Sequence, residues 1–255
     1  MEVMYRQDGN LWVPGPHTLG PYPGSQHGGP VAAVLTSRIE ALAKELDAGV
    51  AMMVNVCQLR PAPLEPAEIS TAIIRDGKRS TYLEGTIAFA GKPTARATAV
   101  FAKILDVKSL PAFQDDNLQP ENLPALGLPF SMPDPSYGSA LDIRIDGDIV
   151  WLRLKVPALE NQTELVNLMT MADMSPGASM ISTNTNWRKQ VLGFPTLDLT
   201  VHLTRPPVGE WVGIRAVTHW FSHGLGMTES ALLDQRGPLG RIAQSLVIIP
   251  HEEKG

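Results

Sequence analysis

An α+β fold made of two similar halves, each a long helix followed by an antiparallel meander, is what the sequence predicts. The first observation behind this is a helical period: in VAAVLTSRIEALAKELD the apolar residues Val31, Leu35, Ile39, Leu42 and Leu46 recur by threes and fours. The second is that four strand-like runs, broken by turn chemistry, follow that helix, and four more follow a second helical region. The third is internal repetition. At a constant shift of 145, Val56 falls on Val201, Arg60 on Arg205, Pro61 on Pro206, Ile69 on Ile214, Pro93 on Pro238 and Arg96 on Arg241. An Arg-Pro pair at the end of matching strands reads as a structural duplication.

Taken in order, the first thirty residues are rich in Gly and Pro and read as loop, with a short strand around Leu11 to Val13. The helix follows, and then the runs AMMVNVCQLRP, PAEISTAIIR, STYLEGTIAFAG and TARATAVFAKIL, divided by Asp76-Gly77 and by Gly91-Lys92-Pro93. Residues 1–105 form the first half. Residues 106–137 carry Pro111, Pro120, Pro124, Pro129, Pro133 and Pro135, show no period of either kind, and read as a linker. Residues 138–255 form the second half: a hairpin in ALDIRIDGDIVWLRLKV around Asp146-Gly147-Asp148, a helical region to about Met180, and the runs FPTLDLTVHLTRP, GEWVGIRAVTHW, GMTESALLDQ and LGRIAQSLVIIP.

The composition, 44% hydrophobic and 18% charged over 255 residues, allows a full core. No window approaches the roughly 18 uninterrupted apolar residues of a membrane helix, and MEVMYRQDGN lacks a secretory start, so the expectation is a cytoplasmic protein without a membrane partner. The 21 Lys and Arg are scattered and outnumbered by 26 Asp and Glu, which argues against nucleic acid. Cys57, the one cysteine, excludes an internal disulfide and reads as a small buried hydrophobe. His219 and His223 have i, i+4 spacing without HExxH, so no metal site is expected; no G-x-S-x-G elbow, dinucleotide fingerprint or P-loop is present, and no cofactor is inferred. Oligomeric state stays open, a homo-oligomer included.

A helix followed by a meander suggests a sheet curled around that helix. This resembles the hotdog fold, doubled in one chain. The motifs HGGPVAAVL, QLRP and RDGKRSTYLEGTIAFAGKPTARATAVF in the first half, and MAD, FPTLDLTVHLTRPP, EWVGIRAVT and IAQSLV in the second, resemble the double-hotdog acyl-CoA thioesterases of the type II family over nearly the whole chain. The resemblance implies acyl-CoA as substrate and thioester hydrolysis. It also implies an active site of an Asp, a Thr and a Gln, which here are Asp173, Thr196 and Gln244. Such residue types suit the reaction: thiolate leaves readily, so the demands are to position a water, take its proton and stabilise an oxyanion.

Each of these residues also has a plainer reading. Asp173 could cap a helix that begins near Pro176. Thr196 shares the parity of Asp198, Thr200 and His202, which makes it an exposed strand threonine. Gln244 shares the apolar parity of Ile242, Leu246 and Ile248, where an amide needs partners, and could sit at a sheet rim. At the shift of 145, Asp173, Thr196 and Gln244 fall on Gly28, Ala51 and Ala99, so one active site per chain is expected. Gly28 and Gly29 open the helix and are candidates for holding substrate through backbone N–H groups, or form a tight, closely packed turn. Met52, Met53, Met169, Met171, Met174 and Met180 could line an acyl tunnel or fill the core. Two further functions stay in view. An enoyl-CoA hydratase would carry an Asp-x-x-Asn-Pro-x-His type of motif, which is absent; a non-catalytic acyl-CoA-binding protein would have no need of all three polar residues.

Overall fold

The computed structural model describes residues 2–127, 133–185, 189 and 191–251; Pro129 of the expected linker lies outside them. The first half consists of β1 (Tyr5–Asp8), β2 (Leu11–Pro14), α1 (Gly28–Glu45), β3 (Val50–Gln58), β4 (Ala67–Asp76), β5 (Ser80–Phe89) and β6 (Lys92–Ala102). The second consists of β7 (Leu141–Asp146), β8 (Ile149–Leu154), α2 (Glu164–Ala172), α3 (Ser175–Ser182), β9 (Asp198–Leu203), β10 (Val212–Trp220), β11 (Leu225–Asp234) and β12 (Gly237–Val247). The described strands form one antiparallel sheet in the order β1-β2-β4-β5-β6-β3-β9-β12-β11-β10-β8-β7. None of the described helices is long and apolar enough to cross a membrane.

The duplication is written into the strand register. Adding 145 to both partners of a pairing in the first half gives a pairing in the second: Val56 opposite Ala97 becomes Val201 opposite Ile242, and Leu83 opposite Ala99 becomes Thr228 opposite Gln244. The irregularity between Ile87 and Ala88 recurs between Leu232 and Leu233. The halves join where β3 pairs with β9. There Asn55 faces Thr200, its own image under the shift, and donates to the Thr200 hydroxyl at 2.7 Å. An approximate two-fold axis therefore passes through this pair.

Helix α1 forms because its apolar stripe faces the sheet: Val31, Leu35 and Ile39 are buried, and Gly85 on β5 lets Leu35 and Ile39 come so near that a Cβ there would lie 3.0–3.1 Å from them. Its entry is capped by His27, whose Nδ1 accepts from the Gly29 N–H at 3.1 Å. Helix α2, capped by Thr163, runs antiparallel to α1; Thr163 donates to Glu40 near the end of α1, while Thr170 lies beside Gly29 at its start. Burial raises the Glu40 carboxyl above its usual range, with the neighbouring Glu164 charge adding to it, although the Thr163 hydrogen bond and Lys44 oppose the shift.

Several expectations need correction. A strand, β1, precedes the expected short strand and pairs with it; in YRQD only Tyr5 is buried, so alternation is too weak to mark it. The turn before β6 is Ala90-Gly91, both with positive φ, and Lys92 and Pro93 already belong to the strand. The second helical region is two helices, interrupted at Asp173 and Met174. Cys57 is exposed: β3 turns Val54 and Val56 inward, which sends Cys57 to the outer face. Replacing Cys57 with Ala should leave turnover within about twofold, measured as product formed per enzyme, because a surface substitution clear of buried features disturbs little.

The repeated Arg-Pro pair has two fates. Arg205 makes a two-pronged pair with Asp234, at 2.5 and 2.6 Å, and Asp234 is 1% exposed. The backbone N–H groups of Val208 and Arg236 also point at this carboxylate. Arg60, its image, is exposed and donates to the Pro93 carbonyl. Part of the Pro-rich stretch fastens beside the buried pair: Phe113 lies under the Arg205 guanidinium, and Leu118 donates to the Gln235 carbonyl at 2.7 Å.

Candidate active site

The start of α1, the break between α2 and α3, the end of β3, the residues before β9 and the middle of β12 meet at one place, and Asp173 is at its centre. Asp173 is the residue on which α2 ends, it is buried, and its carboxylate turns to β12, to Thr196 and to the start of α1. The first turn of α3 has Met174 as its cap, with no side-chain hydrogen bond, so Asp173 does not cap it. Gln244 on β12, 1% exposed, donates from Nε2 to Asp173 Oδ1 at 2.8 Å. Thr196 donates to the same oxygen at 3.3 Å. The structure thus brings together the acid, hydroxyl and amide that the resemblance implies.

Thr196 reaches Asp173 through a feature that strand parity misses. Thr200 opposes Ala243, so regular pairing would set Leu197 against Leu246; the observed bridge is Thr196 with Leu246. One extra residue on the β9 side exchanges the faces, sending Leu197 outward and Thr196 inward. The first half has the same extra residue, for Ala51 opposes Phe101 after a register shift. The image of Thr196 is therefore a buried alanine.

Three further residues stand at the site. His27 Nδ1 lies 3.1 Å from Asp173 Oδ2; because that nitrogen accepts from Gly29, it is the unprotonated one. Tyr137 stacks on the His27 ring with centroids 4.0 Å apart and donates to the Thr170 carbonyl at 2.7 Å. Burial, and after it the Asp173 charge, push the Tyr137 hydroxyl well above its usual pKa, so it remains a neutral donor. Gln58 places Nε2 3.4 Å from the Thr196 hydroxyl. His27 and Gln58 stand in HGGP and QLRP, inside motifs that carry the resemblance; nothing in their spacing shows that a loop and a strand end bring them to Asp173.

A cavity of about 490 Å3 opens onto Asp173, Thr196, His27, Tyr137 and Gln58, with Gln244 buried behind them, and is walled by Tyr22, Leu59, Pro61, Met174, Phe194 and Ile249. Of the methionines, Met174 reaches it, whereas Met169, Met171 and Met180 are core and Met52 and Met53 are half-buried on β3. A larger hollow of about 890 Å3 lies at the other end of α1, beside Arg38, Lys44, Asp47 and Glu164, and contains none of the Asp173 group. Among the described residues no three His, Cys, Asp or Glu side chains gather as metal ligands.

Gly28 and Gly29 are both fixed by crowding, with different neighbours. A Cβ on Gly28 would lie 2.0 Å from Gln58 Nε2 and 2.6 Å from Asp173 Oδ2; one on Gly29 would lie 2.1 Å from the Thr170 carbonyl oxygen. Gly28 lines the cavity, while Gly29 is buried between helices and spends its N–H on His27. Gly28→Ala should therefore lower turnover by displacing side chains of the site. Gly29→Ala should lower stability by about 1–3 kcal/mol, since backbone must move. Turnover and urea midpoints measured on both variants separate the two effects.

Residues 120–248 match the acyl-CoA thioesterase C-terminal domain family, and residues 18–102 match the acyl-CoA thioesterase N-terminal domain family. No curated protein matches the chain. Among solved structures it is similar to a protein assigned as a thioesterase from Novosphingobium aromaticivorans, with 18% identity over 96% of this chain and 98% of that one and a TM-score of 0.72. The acyl-CoA thioesterase II of Mycobacterium marinum has 17% identity, coverage of 98% and 96%, and a TM-score of 0.70. A hotdog-fold protein from Alicyclobacillus acidocaldarius has 19% identity, coverage of 97% and 96%, and a TM-score of 0.71. Likeness at these identities establishes the double hotdog fold, and the family matches cover both halves, so the chain belongs to the acyl-CoA thioesterase family.

Proposed function

We propose that the chain hydrolyses acyl-CoA thioesters with a water activated by Asp173 and oriented by Thr196 and Gln244. The observation that carries this is the convergence of Gln244 and Thr196 on a single oxygen of a buried carboxylate. Those two bonds occupy Oδ1, and Gln244 Oε1, buried and without a partner among the described residues, remains an acceptor for a water O–H. The water attacks the thioester carbonyl carbon as its proton passes to Asp173. The His27 ring flanks the acid's other oxygen, its Nδ1 3.1 Å from Oδ2 and already accepting from the Gly29 N–H. Collapse of the tetrahedral intermediate breaks the C–S bond, and the proton leaves with the CoA thiol. The Gly28 N–H, first of α1 and without an intrahelical acceptor, faces the developing oxyanion.

Release of free thiol from acyl-CoAs of graded chain length tests the reaction. Thiol should appear without added metal or cofactor, and Cys57→Ala keeps the protein's own exposed thiol out of the assay. A hydratase or a binding protein would release none, and activity lost to a chelator and restored by zinc would count against the mechanism. One site per chain is expected, since Gly28, Ala51 and Ala99 stand at the positions equivalent to the three polar residues. Titration with a non-hydrolysable acyl-CoA analogue should saturate at one equivalent; two equal sites would contradict it.

A further inference from the structure

The first half sends two side chains, His27 and Gln58, to the site, and Gln58 has no part in the reaction as described above. Gln58 ends β3, and its backbone N–H donates to the Leu197 carbonyl at 2.8 Å, which pins it beside Thr196. Its Nε2 reaches the Thr196 hydroxyl at 3.4 Å, well beyond the usual 2.9–3.0 Å of an N–H···O bond. No second acceptor for Nε2 occurs among the described residues, yet the amide has two hydrogens to give. Only a glycine at position 28 lets the amide sit there, against the first turn of α1 and on the cavity wall. A weakly engaged donor is therefore held against the backbone of Gly28, beside the base and its hydroxyl partner.

We propose that Gln58 is a catalytic residue of this site: with the Gly28 N–H it forms the oxyanion hole, and its Nε2 donates to the thioester oxygen as negative charge develops there. This rests on the hydrolase reading above. Gln58 Nε2 and Asp173 Oδ2 flank the same point on Gly28, 2.0 and 2.6 Å from where a Cβ would stand, and Gln58, Gly28, Asp173 and Thr196 all line the cavity, so a thioester carbonyl entering it meets the amide beside the base. The bond to Thr196 is long in the absence of substrate, so exchanging it for a charged acceptor costs little and favours the transition state over the ground state.

The test compares Gln58→Leu and Gln58→Glu with the parent enzyme. Both remove the donor, and the second keeps the shape if the first folds poorly. Each should lower kcat about 10²-fold with KM within about threefold. A thioether analogue, lacking the carbonyl, should bind as it does to the parent, whereas a trifluoromethyl ketone analogue, which hydrates to a tetrahedral adduct, should lose about the same factor as kcat. A residue that merely props Thr196 would have no effect once Thr196 is alanine; the proposal expects the loss to persist in Thr196→Ala. A kcat within a few-fold of the parent, or a loss that vanishes in that background, overturns it. A parent that releases no thiol overturns the hydrolase reading as well, so the two failures are told apart.

Discussion

Asp173→Asn is expected to lower kcat by about 10²–10⁴-fold, the contribution of a well-placed general base. The substitution is unusually clean. The Asn oxygen can still accept from Gln244 and Thr196, and its amide takes the place of Oδ2 beside His27 with nearly the same shape. Fold and KM should therefore hold while the ability to take a proton is lost. Thr196→Ala and Gln244→Ala should each cost less, because they orient the water without accepting its proton. Adding either to Asp173→Asn should cost little more, as for groups that act as one unit. Single-turnover rates on folded variants check this; an Asp173→Asn rate within a few-fold of the parent would remove the acid from the mechanism.

The second large effect concerns stability and lies far from the chemistry. Arg205→Ala would leave Asp234 buried with its charge and without its guanidinium, and breaking such a pair costs about 3–5 kcal/mol. Two backbone N–H donors remain on the carboxylate, so the chain should still fold, with a much lower urea midpoint. Arg60→Ala is the built-in control. It changes the equivalent residue of the other half, which is exposed and, among the described residues, bonded through its side chain to a backbone carbonyl, and should shift stability by no more than about 0.5 kcal/mol. Equal losses from the two variants would refute the account of Arg205.

The architecture was legible because it rests on periodicities. The stripe from Val31 to Leu46 and the alternation in the meanders give the elements, and the 145-residue shift gives the duplication that the register repeats pair by pair. What stayed hidden depends on single residues. Thr196 reads as outward-facing from Asp198, Thr200 and His202, and one extra residue before β9 reverses it; an inserted residue leaves no mark on composition or period. Cys57 reads as core from an apolar-rich run, but its parity with Asn55 sends it to solvent. His27 and Gln58 sit where elements begin and end, and their meeting with Asp173 is set by contacts between distant segments. The acid, hydroxyl and amide are legible because the family resemblance names them in their roles, whereas His27 and Gln58, though they stand in HGGP and QLRP, are given no role by it.

Gly28 and Asp173 are counterparts under the internal repeat, and they touch: a methyl group on one would press within 2.6 Å of the other's carboxylate. Two identical polypeptides assembled about a symmetry axis must bring the same residue to that axis from each side. They could offer two glycines, with no base, or two aspartates, crowded together with their charges in conflict. A carboxylate facing an open backbone is available only to an asymmetric pair. Joining the two copies in one chain frees each to mutate alone, and it is this independence, more than any added stability, that allows a centre with one acid and room beside it for a substrate.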